Sequence, residues 1–216
     1  MSIEHEKRLA AEVAATEVAD GMTVGLGTGS TVAYLLAALA GRHLRLRCVA
    51  TSPATEASAR RLGLTVEPFE SLERLDLGID GADQVTPSGW LVKGGGGAHT
   101  REKIVAAAST RWIVIVSANK LTDALSAPVP LELLAFGLGA TLAAVAPAQL
   151  RGGPVSPDGG LIADYRGPVG DPAALARRLD AVPGVLGHGL FEPTLVDEVI
   201  VGRGTSVERF RPPPDG

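Results

Sequence analysis

From its start to Lys120 the chain alternates short apolar runs with longer segments of helical character, the pattern of a parallel sheet covered by helices. Ser2 or a neighbour caps a first helix that runs to about Asp20. Strands are predicted at Met22 to Val24, Leu44 to Val49, Leu64 to Val66, Leu75 to Ile79 and Trp112 to Val116, with a further candidate at Trp90 to Val92. Between them Thr31 to Leu39, Pro53 to Leu62 and Thr100 to Ala108 predict helices, the first two stopped by Gly41 and Gly63.

Around Pro128 and Pro130 prolines and glycines become frequent, and a second, smaller α+β unit is expected. It holds a helix, a short strand pair about Gly159 and Gly160, and a second helix over Ala173 to Ala181, which Asp171 and Pro172 start and Pro183-Gly184 stops. Val185 to Phe191 and Leu195 to Val201 read as strands, and the tail Arg209 to Gly216, with three consecutive prolines, as loosely ordered. The nearly uncharged stretch Leu133 to Ala146 is too short to span a membrane and is punctuated by Gly137 and Gly139, so it is expected to be buried. No internal repeat is visible.

Composition narrows the function. The 216 residues are 45% hydrophobic and 20% charged, which is globular, and 27 glycines with 15 prolines stay below the roughly 25–30% of low-complexity chains. A net charge of -4 gives no basic footprint for nucleic acid or an anionic membrane, so an anionic ligand must be met by a local pocket. Met1 to Arg8 lacks the order of a signal peptide and Cys48 is alone, so a reducing cytoplasm is expected, with Cys48 a small core residue. Of the 20 basic residues only Lys7, Lys93, Lys103 and Lys120 are lysines. A chain that uses arginine for generic surface charge keeps lysine where a compact ammonium matters.

Five polar or glycine-rich segments follow strand candidates: Gly25 to Thr31, Thr51 to Thr55, Asp80 to Asp83, Lys93 to Gly97 and Ser117 to Lys120. Open parallel sheets bind ligands at the carboxyl ends of their strands, so the five are expected to converge on one crevice. Gly25-Leu26-Gly27-Thr28-Gly29-Ser30-Thr31 enters a helix and suits a phosphate, although a glycine turn with a Ser or Thr cap explains it too. Ser30 stands where a dinucleotide loop needs its third glycine, and no Gly-Lys-Ser/Thr follows, which leaves a monophosphate as the simpler ligand. Asp80-Gly81-Ala82-Asp83 could bind Mg²⁺, order sugar hydroxyls or make an Asx turn, and alone favours the turn. Four glycines after Lys93 let backbone approach a ligand, or form a flexible surface loop. Glu102 falls in the first turn of the next helix, where the helix field and a nearby lysine are expected to keep it ionised, as a general base requires. His5, His43, His99 and His188 lie far apart and no metal spacing occurs, so neither metal nor redox cofactor is expected.

Together, Asp80-Gly81-Ala82-Asp83, Lys93-Gly94-Gly95-Gly96 and Thr100-Arg101-Glu102-Lys103, after the glycine loop, closely resemble the type A ribose-5-phosphate isomerase family. The resemblance spans the chain through Lys7, Lys120, Pro128-x-Pro130, Val182-Pro183-Gly184-Val185 and Gly189-Leu190-Phe191. It implies an α/β fold: a Rossmann-like αβα domain with a mostly parallel sheet (1–127 and 199–216) and a small ferredoxin-like domain (128–198), assembled as a homodimer or homotetramer. It implies that Glu102 shuttles a proton between C1 and C2 through an enediolate, Asp80 assists ring opening and Asp83 binds sugar hydroxyls. Lys93, with the amides of Gly94, Gly95 and Gly96, would polarise the carbonyl oxygen. Lys7, Ser30, Thr31 and Lys120 would hold the phosphate, with Thr28 and Gly29 completing the loop and Gly81 and Ala82 the wall.

His99, Ser117 and Gln84 depart from the family pattern, which commonly has an aliphatic residue, Asp and Glu there, and none is a carried-over catalytic residue. His99 is expected to pack or hydrogen-bond behind the glycine loop. Rival readings are a non-catalytic sugar-phosphate sensor, an aminosugar-phosphate isomerase-deaminase and a coenzyme A transferase on a similar fold. A sensor would need neither Glu102 nor Lys93.

Overall fold

The computed structural model describes residues 2–213. Helix α1 (Ile3–Thr16) starts at Ser2, whose hydroxyl accepts the His5 N–H at 3.3 Å and satisfies a free amide of the first turn. It ends short of the expected Asp20. There follow β1 (Thr23–Leu26), α2 (Ser30–Ala40), β2 (Arg47–Ala50), α3 (Pro53–Arg61), β3 (Leu77–Asp80), β4 (Gln84–Val85), β5 (Leu91–Val92), α4 (His99–Ala108) and β6 (Trp112–Ser117). Then come β7 (Val129–Leu133), α5 (Leu138–Ala144), β8 (Ala148–Leu150), β9 (Leu161–Tyr165), α6 (Pro172–Asp180), β10 (Val185–His188), β11 (Leu190–Phe191), β12 (Glu198–Arg203) and β13 (Ser206–Phe210).

The central sheet runs β13-β12-β6-β3-β1-β2, parallel except at β13, which returns antiparallel along β12. All six residues of β6 are buried, because both faces of the sheet are covered. Period-two alternation sorts them. Ile113 and Ile115 join Val24, Leu26 and Ile200 beneath α1 and α2, while Trp112, Val114 and Val116 join Val199, Val201 and Phe191 on the other side. Cys48 lies in the first of these cores, its thiol pushed up to about 12 by burial, as a small apolar residue would sit.

The unit β7-α5-β8-β9-α6-β10 forms an antiparallel sheet in the order β10-β7-β9-β8, the split βαβ arrangement of ferredoxin-like folds. Asp171 caps α6 as expected, its Oδ1 accepting the Ala173 and Ala174 N–H groups at 2.9 and 3.2 Å. A third sheet, β11-β5-β4, is built of two-residue strands.

Several expectations need correction. Leu133 to Ala146 is not one buried segment: β7 stops at Leu133, Gly137 turns the chain at φ 69, and between them Leu134 and Phe136 are 45% and 87% exposed. Pro130 sits in a central strand, opposite Asp164, and its carbonyl accepts the Gly189 N–H at 2.7 Å. Leu64 to Val66 contributes only a single bridge, Val66 to Cys48. Val185 to Phe191 breaks at Gly189 into two strands of different sheets. Arg209 and Phe210, expected in the tail, belong to β13, and residues 214–216 of that tail lie outside the described residues. Among the described residues no helix is long and apolar enough to cross a membrane.

Candidate active site

The phosphate-type loop is shaped by what lies under it. At Gly27 a side chain would collide with the Asp80 carboxyl, so only glycine lets the loop leave β1 across the end of β3. The Thr28 N–H then donates to Asp80 Oδ1 at 3.1 Å, and Gly29, at φ 121, turns the chain into α2 with no side-chain cap on the helix amides. Those amides and the helix dipole face the space beside Ser30 and Thr31. The Thr51 to Thr55 segment does not reach that space and instead braces the loop from behind. Thr51 Oγ1 lies 2.8 Å from Thr28 Oγ1, and Thr55 Oγ1 donates to the Gly27 carbonyl at 2.9 Å.

Lys93 enters from the small three-stranded sheet, not from the parallel one. Its N–H donates to the Gly189 carbonyl at 2.8 Å, where a side chain at 189 would strike the Lys93 backbone. Its ammonium, 3% exposed, lies 3.0 Å from Asp80 Oδ2 and 3.3 Å from Glu102 Oε2, and donates to the Gly81 carbonyl. The Trp112 and Phe191 rings flank it at 5.9 and 5.6 Å. Asp83 accepts the Gly95 N–H at 2.8 Å and so ties the second carboxylate of its strand end to the glycine loop.

One ammonium thus faces two buried carboxylates. Burial and the Asp80 charge hold the Glu102 carboxyl up at about 8, against the pull of Lys93, the opposite direction to the one expected from the helix field and a nearby lysine. Burial also raises Asp80, but Asp80 accepts N–H groups from Thr28 and Gly81 besides its pairing with Lys93, whereas among the described residues the Glu102 carboxyl pairs with Lys93 alone. The two carboxyls titrate as a pair, and these contacts favour the charged form of Asp80 over that of Glu102. For Lys93 burial works against the charge, and Asp80 with Glu102 outweighs it, leaving the ammonium harder to deprotonate than usual. A carboxyl titrating near neutrality beside a permanent cation is equipped to take up and return a proton.

Lys7, Thr28, Gly29, Ser30, Thr31, Gly81, Ala82, Asp83, Lys93, Gly94, Gly95, Gly96, Glu102 and Lys120 line one cavity of about 200 Å³. Of the candidate residues only Asp80 is not in its wall; it lies directly beneath, 2% exposed. A space of that size suits a small metabolite. Lys7 reaches it from α1 and pairs with Glu4 at 2.6 Å, and Lys120 closes the turn after β6. Among the described residues no group of three or more His, Cys, Asp or Glu side chains is arranged to hold a metal ion.

His99 is fully buried behind the glycine loop, its ring against Gly94, whose absent Cβ would lie 2.6 Å from Nδ1. Burial first, and then the Lys103 charge, push it down to about 3, so it is a neutral packing residue. One side chain that the scarcity of lysine singled out was given no role, and another escaped the sequence reading. Lys103 is half-buried, pushed down to about 8, with its Nζ donating to the His188 carbonyl at 2.9 Å and 5.0 Å from the Phe191 ring. Arg151, just beyond β8, donates to the Gly94 carbonyl at 2.9 Å, and nothing distinguishes it in a chain that uses arginine everywhere.

A family model described as ribose 5-phosphate isomerase A (phosphoriboisomerase A) matches residues 47–206. The ribose-5-phosphate isomerase A of Caulobacter vibrioides is 46% identical over 228 residues, covering 98% of this chain and all of that one. Among solved structures, the ribose 5 phosphate isomerase A of Neisseria gonorrhoeae superposes with a TM-score of 0.93 at 30% identity, covering 99% of both chains. A D-ribose-5-phosphate isomerase in complex with phospho-erythronic acid gives 0.92 at 31% identity, covering 98% of this chain and 100% of the other. Sequence, fold and full-length coverage agree, and the chain belongs to the ribose 5-phosphate isomerase A family.

Proposed function

We propose that the cavity interconverts D-ribose 5-phosphate and D-ribulose 5-phosphate by a proton transfer that side chains alone carry. The observation that bears most weight is the Lys93 ammonium, fixed 3.0 Å from Asp80 and 3.3 Å from Glu102 in the wall of a cavity that a helix N-terminus and two further lysines also line. The phosphate lies against Lys7, Lys120, Ser30, Thr31 and the amides of Thr28 and Gly29. That places the sugar carbonyl towards Lys93, which draws electrons from the C–O bond and stabilises the enediolate. Glu102 removes the proton from one carbon and returns it to its neighbour on the same face. Asp80 assists ring opening from beneath, and Asp83, already bound to the Gly95 N–H, receives sugar hydroxyls. The relative that holds phospho-erythronic acid supports a phosphorylated sugar derivative as ligand.

The same proposal includes the setting of the reaction. The substrate is a free sugar phosphate, met without nucleic acid or membrane in the cytoplasm by a homodimer or homotetramer. The domains are 1–127 with 199–216 and 128–198, supported by the return of β12 and β13 to the central sheet. The deciding experiment is Glu102→Gln. It keeps shape but cannot accept the proton, so turnover should fall by at least about 10²-fold while ribose 5-phosphate still binds by calorimetry. Near wild-type isomerisation and solvent proton exchange by this variant would remove Glu102 as the base. Wild-type turnover of glucosamine 6-phosphate in place of ribose 5-phosphate would favour the deaminase reading. Activity should survive exhaustive EDTA treatment, and a loss restored by Mg²⁺ would sink a mechanism in which Lys93 is the electrophile.

A further inference from the structure

The glycine loop after Lys93 is gripped from the four-stranded sheet. Arg151, in the connection between β8 and β9, divides its guanidinium. Nε and Nη2 pair with Asp164 at 3.0 and 2.7 Å, while Nη1 donates to the carbonyls of both Gly94 and Gly95, at 2.9 and 3.1 Å. Asp164 is itself held on β9, 9% exposed and opposite Pro130 of β7. A planar fork with five donors can serve a carboxylate and two carbonyls at once, which an ammonium cannot do in one geometry.

The two carbonyls determine where the following amides point. In a planar trans peptide the C=O of one residue and the N–H of the next are opposed. Holding the Gly94 carbonyl on Arg151 therefore turns the Gly95 N–H the other way, and there it meets Asp83 Oδ2 at 2.8 Å. Holding the Gly95 carbonyl on the same nitrogen turns the Gly96 N–H away from Arg151, and Gly96 lines the cavity. A four-glycine run has no side chains to make this choice for itself, and Gly94 at φ 105 occupies a region that glycine enters and leaves freely.

Resting on the isomerisation proposed above, we infer that Arg151, anchored by Asp164, is a positioning residue that sets the two peptide planes of the glycine loop, presenting the Gly96 N–H to the reacting oxygen and fixing Asp83. The four-stranded unit acts on the reaction through this contact. Because the phosphate-binding residues lie elsewhere, loss of the clamp acts on turnover and not on substrate capture.

The test compares wild type, Arg151→Met, Arg151→Lys and Asp164→Asn by steady-state kinetics with ribose 5-phosphate and by hydrogen exchange of the peptide spanning residues 92–98. Arg151→Met should lower kcat by about 10-fold or more, up to the 10²–10³-fold scale of losing an oxyanion donor outright, with KM within about threefold. Arg151→Lys, which keeps the charge but not the fork, and Asp164→Asn, which loosens the anchor, should fall between. Exchange in that peptide should accelerate in Arg151→Met by about tenfold or more. Unchanged exchange overturns the clamp whether or not ribose 5-phosphate proves to be the substrate. Accelerated exchange with wild-type kcat, in Arg151→Met or Arg151→Lys, overturns the positioning role. If the Met variant does not fold, a Lys variant equal to wild type in kcat and exchange overturns both. A wild-type protein that binds but does not isomerise ribose 5-phosphate defeats the isomerase proposal separately, and the exchange result still decides the clamp.

Discussion

The Glu102 carboxyl is held up at about 8, and keeps its proton below that, because burial and the Asp80 charge outweigh the single ammonium that faces both carboxyls. The free enzyme's base must lose that proton to act, so kcat/KM should rise with pH along a limb with apparent pKa near 8. Lys103 is pushed down to about 8 as well, so the limb needs assignment. In Lys103→Met it should persist, and its disappearance there would transfer it to the lysine. Stability runs the other way. Between the ordinary 4.5 and about 8 the folded protein holds a proton at Glu102 that the unfolded chain releases, so this group's contribution declines as pH rises through that window. Glu102→Gln is neutral throughout, and urea titration at pH 8 should find it more stable than wild type, with the difference vanishing below pH 4.5. At the other end of the cavity, Lys7→Ala or Lys120→Ala should weaken ribose 5-phosphate strongly and leave residual turnover of free ribose nearly unchanged. Equal proportional losses for both sugars would move the lysine out of the phosphate contact.

At the scale of elements, what the sequence revealed and what it hid have separate physical causes. Strands β1, β2, β3 and β6 and helices α1 to α4 were legible because each carries enough apolar positions to show its period, and Ser2, Asp171 and Pro172 mark helix starts by capping chemistry. The two-residue strands β4 and β11 have no period to read, and β5 was legible only as an apolar run without its sheet. Strand β7 was hidden by Pro130, whose missing N–H argues against a central strand and whose free carbonyl is nevertheless used by Gly189. Strand β13 follows a different logic, since its burial is slight and ion pairs hold it. Arg209 pairs with Glu198 at 2.7 Å and Glu17 at 2.5 Å, and Arg111 bridges the same two acids. Glu198 is only 6% exposed, so Glu198→Ala removes the more buried of the two acids that both guanidinium groups share and leaves them Glu17 alone of that pair. A loss of about 1–3 kcal/mol in urea titration is expected, with kcat of the folded fraction unchanged. The candidate site was legible to the extent that chemistry followed residue type, as with the carboxylates, the rare lysines and the glycine run. Glu102's protonation was not, because burial is a property of the fold.

Across the whole molecule the two buried histidines contribute to how the fold responds to acid. His99 lies at the junction of α4 with the glycine loop, and His188 ends β10, with Nε2 3.1 Å from Asp180 Oδ1 and Nδ1 accepting the Leu190 N–H at 3.2 Å. Burial, reinforced by the Lys103 charge, pushes them down to about 3 and about 4. In the unfolded chain both return to the ordinary 6.5, so below that pH the unfolded state binds protons that the folded state refuses. Stability therefore falls as pH drops from 6.5 towards 4, with a slope of up to about 1.4 kcal/mol per pH unit for each histidine. Glu102 opposes this between 4.5 and 8, since the folded state is the better proton binder there. His99→Leu removes one of the two acid-sensitive groups and fills the space with an apolar side chain. Its stability, followed by urea titration from pH 6.5 to 4.5, should depend on pH with a slope lower by about 1 kcal/mol per unit, while the pH–rate profile keeps its shape. An unchanged slope would mean that His99 is protonated in the folded protein. Loss of a kinetic limb near 6.5 would mean that it moves a proton in the reaction, which its place behind Gly94, away from the cavity wall, argues against.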